Sequence, residues 1–345
     1  MGMLCMCGRV DEMIALFYLA PMNSEGGSKV YLWHLYQTLR FADADPAIYR
    51  VGKRGGVGTI VGLPCRTITL EEAVRVVRSV PSYAVYAMAH PSNPELCKAI
   101  TELIVNGLVY TVQAYAEVRE WVVELLRQSG RGVIATRPAL ATLLKKRGCR
   151  VVYLPHPYVC SPQSFGPPTR WALCATRVDW AKNVHLCCEA NERLPPAKRI
   201  ALLGSLHAGR PYQKFYLDKH HPDWRNYHTG DNGFPLGTGV SVAASARYVI
   251  DLTAWKHDGG GSQYCFLEAW EAKTPLLVHN RWLAFEGEMQ HGVNCIGVGD
   301  ANDIVKVLTD ADSNLGSRVV AGGLVGLKRH APEAVARAYE EAIRR

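Results

Sequence analysis

No apolar run in this 345-residue chain reaches the roughly 18 to 20 residues that a membrane-spanning helix needs; Met13 to Ala20 is only a strand's length. The N-terminal MGMLCMCGRVDE carries acids ahead of its apolar stretch and lacks a small-residue cleavage site, which argues against a secretory signal. Met13 offers an alternative start, which would make the first dozen residues a disordered extension. The eleven cysteines are odd in number, have no regular spacing and form no C-x-x-C pair, against both a disulfide framework and a zinc site. Cys5, Cys7, Cys187 and Cys188 read instead as reduced, mostly buried thiols, as expected in a cytoplasm. No G-x-G-x-x-G follows the first apolar run, and no Gly-Lys-Ser/Thr ends GKRGGVG (Gly52 to Gly58), so neither a nicotinamide fingerprint nor a Walker loop is present. GKRGGVG reads as a flexible hairpin or a mobile acceptor loop. No Asp-x-Asp is read as a metal-ligand pair, and no metal or other cofactor is expected.

Acid is missing from one long stretch. Between Glu124 and Asp179 there is no carboxylate, while Arg127, Arg131, Arg137, Lys145, Lys146, Arg147, Arg150, Arg170 and Arg177 all occur in a chain of net charge +8. Lys145 to Arg147 alone would be a solvated helix face, but nine cations without a compensating acid favour anionic ligands.

What is present alternates. MIALFYLA is a buried-strand run, followed by the loop PMNSEGGS and by KVYLWHLYQTLRF with helical spacing of Val30, Trp33, Leu35 and Leu39. EEAVRVVRSV, NPELCKAITELIVNG, EVREWVVELLRQS and PALATLLKKRG read as helices between the strands YAVYAMA, LVYTVQA, GVIATR and CRVVYLP. Proline-rich PHPYVCSPQSFGPP cannot hold regular structure and reads as a linker. Alternation resumes with RWALCATR, NVHLCCEANERL, RIALLGS, RYVIDLT, YCFLEAWEAK, PLLVHN and CIGVG, and PEAVARAYEEAIRR closes the chain as a helix. Near-continuous apolar strands separated by helices predict an α/β chain of two doubly wound parallel-sheet domains. Their boundaries are 1–158 and 159–330, with 331–345 a helix packing back toward the first domain. Such sheets bind ligands at their strands' carboxyl ends, which points to the interdomain cleft.

In CATRVDWAKNVHLCCEA, Arg177 follows a strand and Lys182 precedes the next helix, where backbone N–H groups already favour anions. An isolated pair of this kind is more often just two exposed loop cations. Farther on, HDGGGSQYCFLEAWEAKTPLLV places Asp258, Gly259, Gly260, Gly261 and Ser262 after a strand and Glu268 at the head of a helix. Glycines let backbone approach a ligand and offer N–H donors, and a carboxylate accepts two vicinal hydroxyls such as a ribose presents. Phosphate cations, a glycine loop and a diol-binding acid together describe a sugar nucleotide.

These segments, with RIALLGS between them, resemble the second domain of GT-B-fold glycosyltransferases, particularly the retaining family 4 type. The resemblance is good over about Leu173 to Val278 and topological over the first half. It implies two Rossmann-like domains, Arg177 and Lys182 on the donor diphosphate, and Glu268 on the donor ribose. Asp258 and its glycines would hold the transferred sugar. It also implies that Gly26 and Gly27 face the donor phosphates and that His90, closing YAVYAMAH, lies near the transferred sugar. The sequence departs from the pattern in two ways: the first acid is an aspartate ten residues before Glu268, where the family has E-x7-E, and Lys273-Thr274 replaces a small residue and glycine.

A hexosyltransferase is implied, working with retention by front-face attack and using a UDP- or GDP-sugar. The acceptor stays open between a modified DNA base and an envelope glycan or lipid. The aromatic and basic YQKFYLDKHHPDWRNYHTG (Tyr212 to Gly230) suits DNA, an anionic membrane surface or a packed loop. A cytoplasmic, possible membrane-peripheral location fits these acceptors. The alternative is a nucleotide-sugar epimerase or a noncatalytic nucleotide-binding protein of the same architecture.

Overall fold

The computed structural model describes residues 12–20, 27–87, 90–161, 163–206, 210–230, 238–254, 258–310 and 313–345. Gly26 and most of the proposed N-terminal extension lie outside them. The chain divides into two compact units, Met1–Val159 with His330–Arg345, and Cys160–Arg329.

In unit 1, β1 (Met13–Leu19), β2 (Asp45–Val51), β3 (Gly56–Ile60), β4 (Leu63–Ile68) and β5 (Ser82–Ala87) form a sheet of order β3-β4-β2-β1-β5. Then β6 (Tyr110–Val112), β7 (Gly132–Ala135) and β8 (Arg150–Tyr153) continue it, Ala84 N donating to Val109 O beside β6. The interleaved helices are α1 (Gly27–Phe41), α2 (Leu70–Ser79), α3 (Pro94–Asn106), α4 (Glu120–Ser129) and α5 (Pro138–Lys146). β1 is buried along nearly its whole length, as a central parallel strand covered on both faces must be.

Pairing is parallel except between β3 and β4, a hairpin turning at Val61 and Gly62 with β3 exposed along most of its length. Thus GKRGGVG leads into an antiparallel edge ribbon. The alternation reading missed β2 through β4 because Pro46, five glycines and exposed side chains break the apolar pattern there.

The first five residues of the presumed linker, 155–159, are built into unit 1. His156 and Tyr158 are buried. Tyr158 N donates to His330 O at 2.8 Å, and Val159 N donates to His34 Nδ1 at 2.9 Å. Burial lowers the His34 pKa to about 3, so the ring is neutral and Nδ1 can accept. The C-terminal helix Pro332–Arg344 buries Val335, Ala336, Tyr339 and Ile343, one face at helical spacing. Tyr339 lies against α1, its hydroxyl accepting from Tyr31 at 3.4 Å and donating to Pro155 O at 2.9 Å.

Unit 2 holds β9 (Arg170–Cys174), β10 (Ile200–Leu202), β11 (Ala246–Asp251), β12 (Leu276–His279) and β13 (Ile296–Val298), all parallel, in the order β10-β9-β11-β12-β13. The chain moves from β9 to β10 on one side and returns to β11 on the other, so the topological switch lies between β9 and β11. α6 (Val184–Asn191) follows β9.

Two helices unforeseen in the sequence, Ala301–Thr309 and Ser313–Leu327, complete the unit. The second is glycine-rich for a packing reason. A Cβ at Gly323 would lie 2.4 Å from the Trp270 ring, and one at Gly322 would lie 2.0 Å from Val293 O. Close approach to Trp270 therefore requires residues that sequence reading scores against a helix.

Candidate functional site

The switch point of unit 2 holds Arg177 and Lys182. Arg177 lies three residues beyond β9, and Lys182 ends the short turn Trp180–Lys182. Asn183 caps α6 in the left-handed conformation and donates to Leu252 O at 2.8 Å, while Ala254 N donates to Ala181 O at 3.1 Å. These two bonds stitch the loop after β9 to the end of β11. Gly204, just past β10, closes the other side: a Cβ there would lie 1.8 Å from Thr176 O, so only glycine lets the two strand ends meet.

Neither cation stands alone. The exposed Arg177 guanidinium reaches Asp179 at 3.3 Å. Lys182 is mostly buried; its ammonium donates to Thr253 Oγ1 at 2.6 Å and lies 3.5 Å from Asp251 Oδ2. Asp251, at the end of β11, also accepts from Thr253 N at 2.9 Å, from the Thr253 hydroxyl and from Cys265 Sγ at 2.9 Å. Burial by itself would raise the Asp251 pKa, but Lys182 and these donors outweigh it and hold the group below the ordinary carboxylate range. Burial and the neighbouring Asp251 push the Cys265 thiol well up, so it stays protonated and donates. Sequence reasoning missed Asp251, Thr253 and Cys265. The one available signal was Asp251 at a strand's carboxyl end. The Thr176 hydroxyl, buried beside Arg177, has no hydrogen-bond partner among the described residues, an uncommon state for a buried polar group.

Asp258 and Ser262 are buried along with the three glycines between them. The ribbon packs on the segment after β12. Gly260 N donates to Trp282 O at 3.0 Å, Trp282 Nε1 donates to Gly261 O at 2.7 Å, and Ser262 N donates to Glu288 Oε2 at 3.1 Å. Gly260 has φ +75°, and a Cβ there would lie 2.8 Å from Glu286 O. At least one glycine is therefore demanded by the chain's own packing and backbone conformation. Some of the ribbon's N–H groups are likewise engaged internally.

Glu268 is not at a helix head. It lies in the second turn of the helix Tyr264–Glu271. Its half-buried carboxylate has no hydrogen-bond donor among the described residues, and burial, with Glu271 adding repulsion, raises its pKa to about 7. Gly239, which opens the helix Gly239–Ala244, faces it so closely that a Cβ would lie 2.0 Å from Glu268 Oε1.

In unit 1, Gly27 opens α1 after β1, and His90 follows β5, the strand next to β1. A Cβ on Gly27 would meet nothing within 4 Å. His90 is exposed three residues past the strand; its Nδ1 lies 2.6 Å from Ser92 Oγ and accepts from Ser92 N at 3.2 Å. Asp43-Ala44-Asp45 leads into the amino end of β2, away from these carboxyl ends.

Two charge patterns change in three dimensions. In the acid-free stretch, Arg127 pairs with Glu124 and Arg147 with Glu120, carboxylates contributed from just upstream. In Tyr212 to Gly230, Tyr212, Leu217 and Trp224 belong to the core, and Arg225 pairs with Asp218. Much of that segment is therefore packed structure.

No protein-family model and no curated protein matches the chain. Solved structures do. HepE of Anabaena, in complex with UDP and glucose, superposes with a TM-score of 0.71 over 96% of this chain and 99% of its own, at 13% identity. An alpha-glucosyltransferase in complex with UDP and a 13-mer DNA containing a HMU base gives 0.69 over 96% and 98%, at 10% identity. Sucrose-phosphate synthase from Thermosynechococcus elongatus gives 0.64 over 96% and 98%, at 15% identity. The chain has the GT-B fold, with two Rossmann-like units. No helix among the described residues is long and apolar enough to cross a membrane.

Proposed function

We propose that the protein transfers a hexosyl group from a nucleoside-diphosphate sugar to an acceptor. The observation that carries this reading is Glu268: a half-buried carboxylate without a donor, on the helix leading out of the glycine ribbon, in the unit whose switch point holds Arg177 and Lys182. A ribose diol would supply the donors that the protein does not. The diphosphate belongs against Arg177, the remaining donor capacity of Lys182, the Thr176 hydroxyl and nearby N–H groups. These meet the charge that develops on the leaving phosphate without a metal ion. Asp258 and the N–H groups of Gly259 and Gly261 take the sugar.

Retention by front-face attack fits this set, since the departing phosphate accepts the acceptor's proton and no side chain need act as base. The solved neighbours hold UDP with glucose, or UDP with DNA carrying a modified base. They favour UDP-glucose as the first donor to try and a modified DNA base as the first acceptor, with an envelope glycan or lipid as the other acceptors to test. The protein would then work in the cytoplasm, at a membrane surface if its acceptor is a lipid.

The test is incubation with UDP- and GDP-sugars, with and without chelator, read for nucleotide release and by NMR for the anomeric configuration of any product. Release of UDP with an α-linked product from an α-linked donor supports the reading. Isomerised nucleotide sugar would point to an epimerase, and absence of nucleotide affinity would end it.

A further inference from the structure

We propose that the amino end of the unit 1 sheet carries a second anion site, suited to a phosphate ester or diphosphate. A cavity of about 430 Å³ opens there, with Arg78, Arg131, Arg150, Arg344 and Arg345 on its walls. Val80, Val109 and Ile343 give it a buried apolar floor, and no acidic side chain lines it. The volume is that of a small-ligand site.

The fold brings these arginines together. In a parallel sheet, each helix ends where the next strand begins. α2 ends at Val80, α3 at Gly107 in the left-handed region, and α4 at the left-handed Gly130, while the C-terminal helix ends beside them. Arg78 occupies the last turn of α2, Arg131 follows Gly130, Arg150 opens β8, and Arg344 closes the C-terminal helix.

Helix carboxyl ends attract cations, which accounts for part of the cluster. Each carries about half a negative charge that fades beyond the last turn, so four ends offset about two of the five positive charges. Arg344 and Arg345 also reach back to Glu340 and Glu341, outside the cavity lining. Arg78, Arg131 and Arg150 have no carboxylate partner among the described residues; Arg78 Nε donates to the neutral Asn106 Oδ1 at 2.7 Å. Positive charge is left over around one apolar-floored cavity. Arginine's fixed fork of donors matches phosphate oxygens pairwise.

The site is at the end of the sheet opposite Gly27 and His90 and does not rest on the donor reading. Inorganic pyrophosphate serves as the free-ligand probe, read by calorimetry, and flotation on phosphatidylglycerol vesicles against phosphatidylcholine serves as the lipid-headgroup probe. The test variant is Arg131→Glu with Arg150→Glu, both exposed; Arg131→Lys with Arg150→Lys is the conservative partner. Lys53→Glu with Arg66→Glu, one in the loop before β3 and one on β4, controls for overall charge.

Loss of one class of pyrophosphate sites, or of vesicle binding, by about tenfold or more in the glutamate variant alone supports the site and says which source it serves. The lysine variant should fall between, and UDP affinity should match wild type. Equal losses in the charge-control variant, or no loss in either assay, overturn the proposal. Failure of UDP to bind wild type bears on the donor site alone.

Discussion

The ammonium of Lys182 lies 3.5 Å from the carboxylate of Asp251, joining the loop after β9 to the end of β11 with little exposure at either group. Breaking such a buried pair by removing one partner typically costs about 3–5 kcal/mol, because the other charge remains buried and alone. Asp251→Asn should therefore lower stability by that order in urea titration. The Asp251 pKa is depressed, so its contribution is present above the unfolded value and is lost as pH falls through the lower native value. The gap between wild type and variant should be full at pH 7 and close only below about pH 4. A gap that is unchanged at pH 3 would show that the pair is not its source.

Arg177 contrasts with Lys182. Its partner Asp179 is a surface contact of a half-exposed guanidinium, worth at most about 1 kcal/mol. Arg177→Ala should leave the melting temperature nearly unchanged while weakening UDP binding by about ten- to a hundredfold, the worth of a charge-assisted hydrogen bond. Lys182→Ala should lose both, since it strands Asp251. Wild-type nucleotide affinity in both variants would remove the diphosphate from this switch point.

Glu268 should trade stability against binding. Its pKa is raised to about 7 by burial and Glu271. The native state thus keeps a proton that the unfolded chain releases near pH 4.5, and stability falls as pH rises between those values. Above pH 7 the full cost of the buried charge is present, about 3 kcal/mol at most. Glu268→Gln should therefore raise the melting temperature at pH 8, with little change at pH 4, and reduce UDP affinity. A variant that is destabilised at pH 8 contradicts this account.

Gly239→Ala tests the same carboxylate from outside. The added methyl meets the flexible end of Glu268, so the side chain must move while the backbone stays. Nucleotide affinity should fall with little loss of stability. Gly204→Ala, where the methyl meets Thr176 backbone, should instead destabilise the fold by several kcal/mol, in the overpacking range of about 1–3 kcal/mol or above it. Comparable losses of stability in the two would mean that the Glu268 contact is structural.

Asp258→Asn probes the sugar end. It should reduce turnover more than UDP affinity, because UDP lacks the hexose that Asp258 is proposed to hold. Equal losses in kcat and UDP binding would place Asp258 elsewhere.

The sequence by itself determined the layered α/β architecture, most of the strands and the order Arg177, Lys182, Asp258, Glu268. Those signals are local: apolar runs set strands, and a strand followed by glycine or cations marks a carboxyl end. It could not reveal β2 through β4 or the helix Ser313–Leu327, whose glycines answer to neighbours remote in sequence, such as Trp270. Tertiary structure alone decided how the charges are used. Lys182 is bound to Asp251, Arg127 and Arg147 are neutralised from upstream, and Arg78, Arg131 and Arg150 converge from three separate elements. A charge acts through distance and burial, and a linear order of residues encodes neither until the chain has folded.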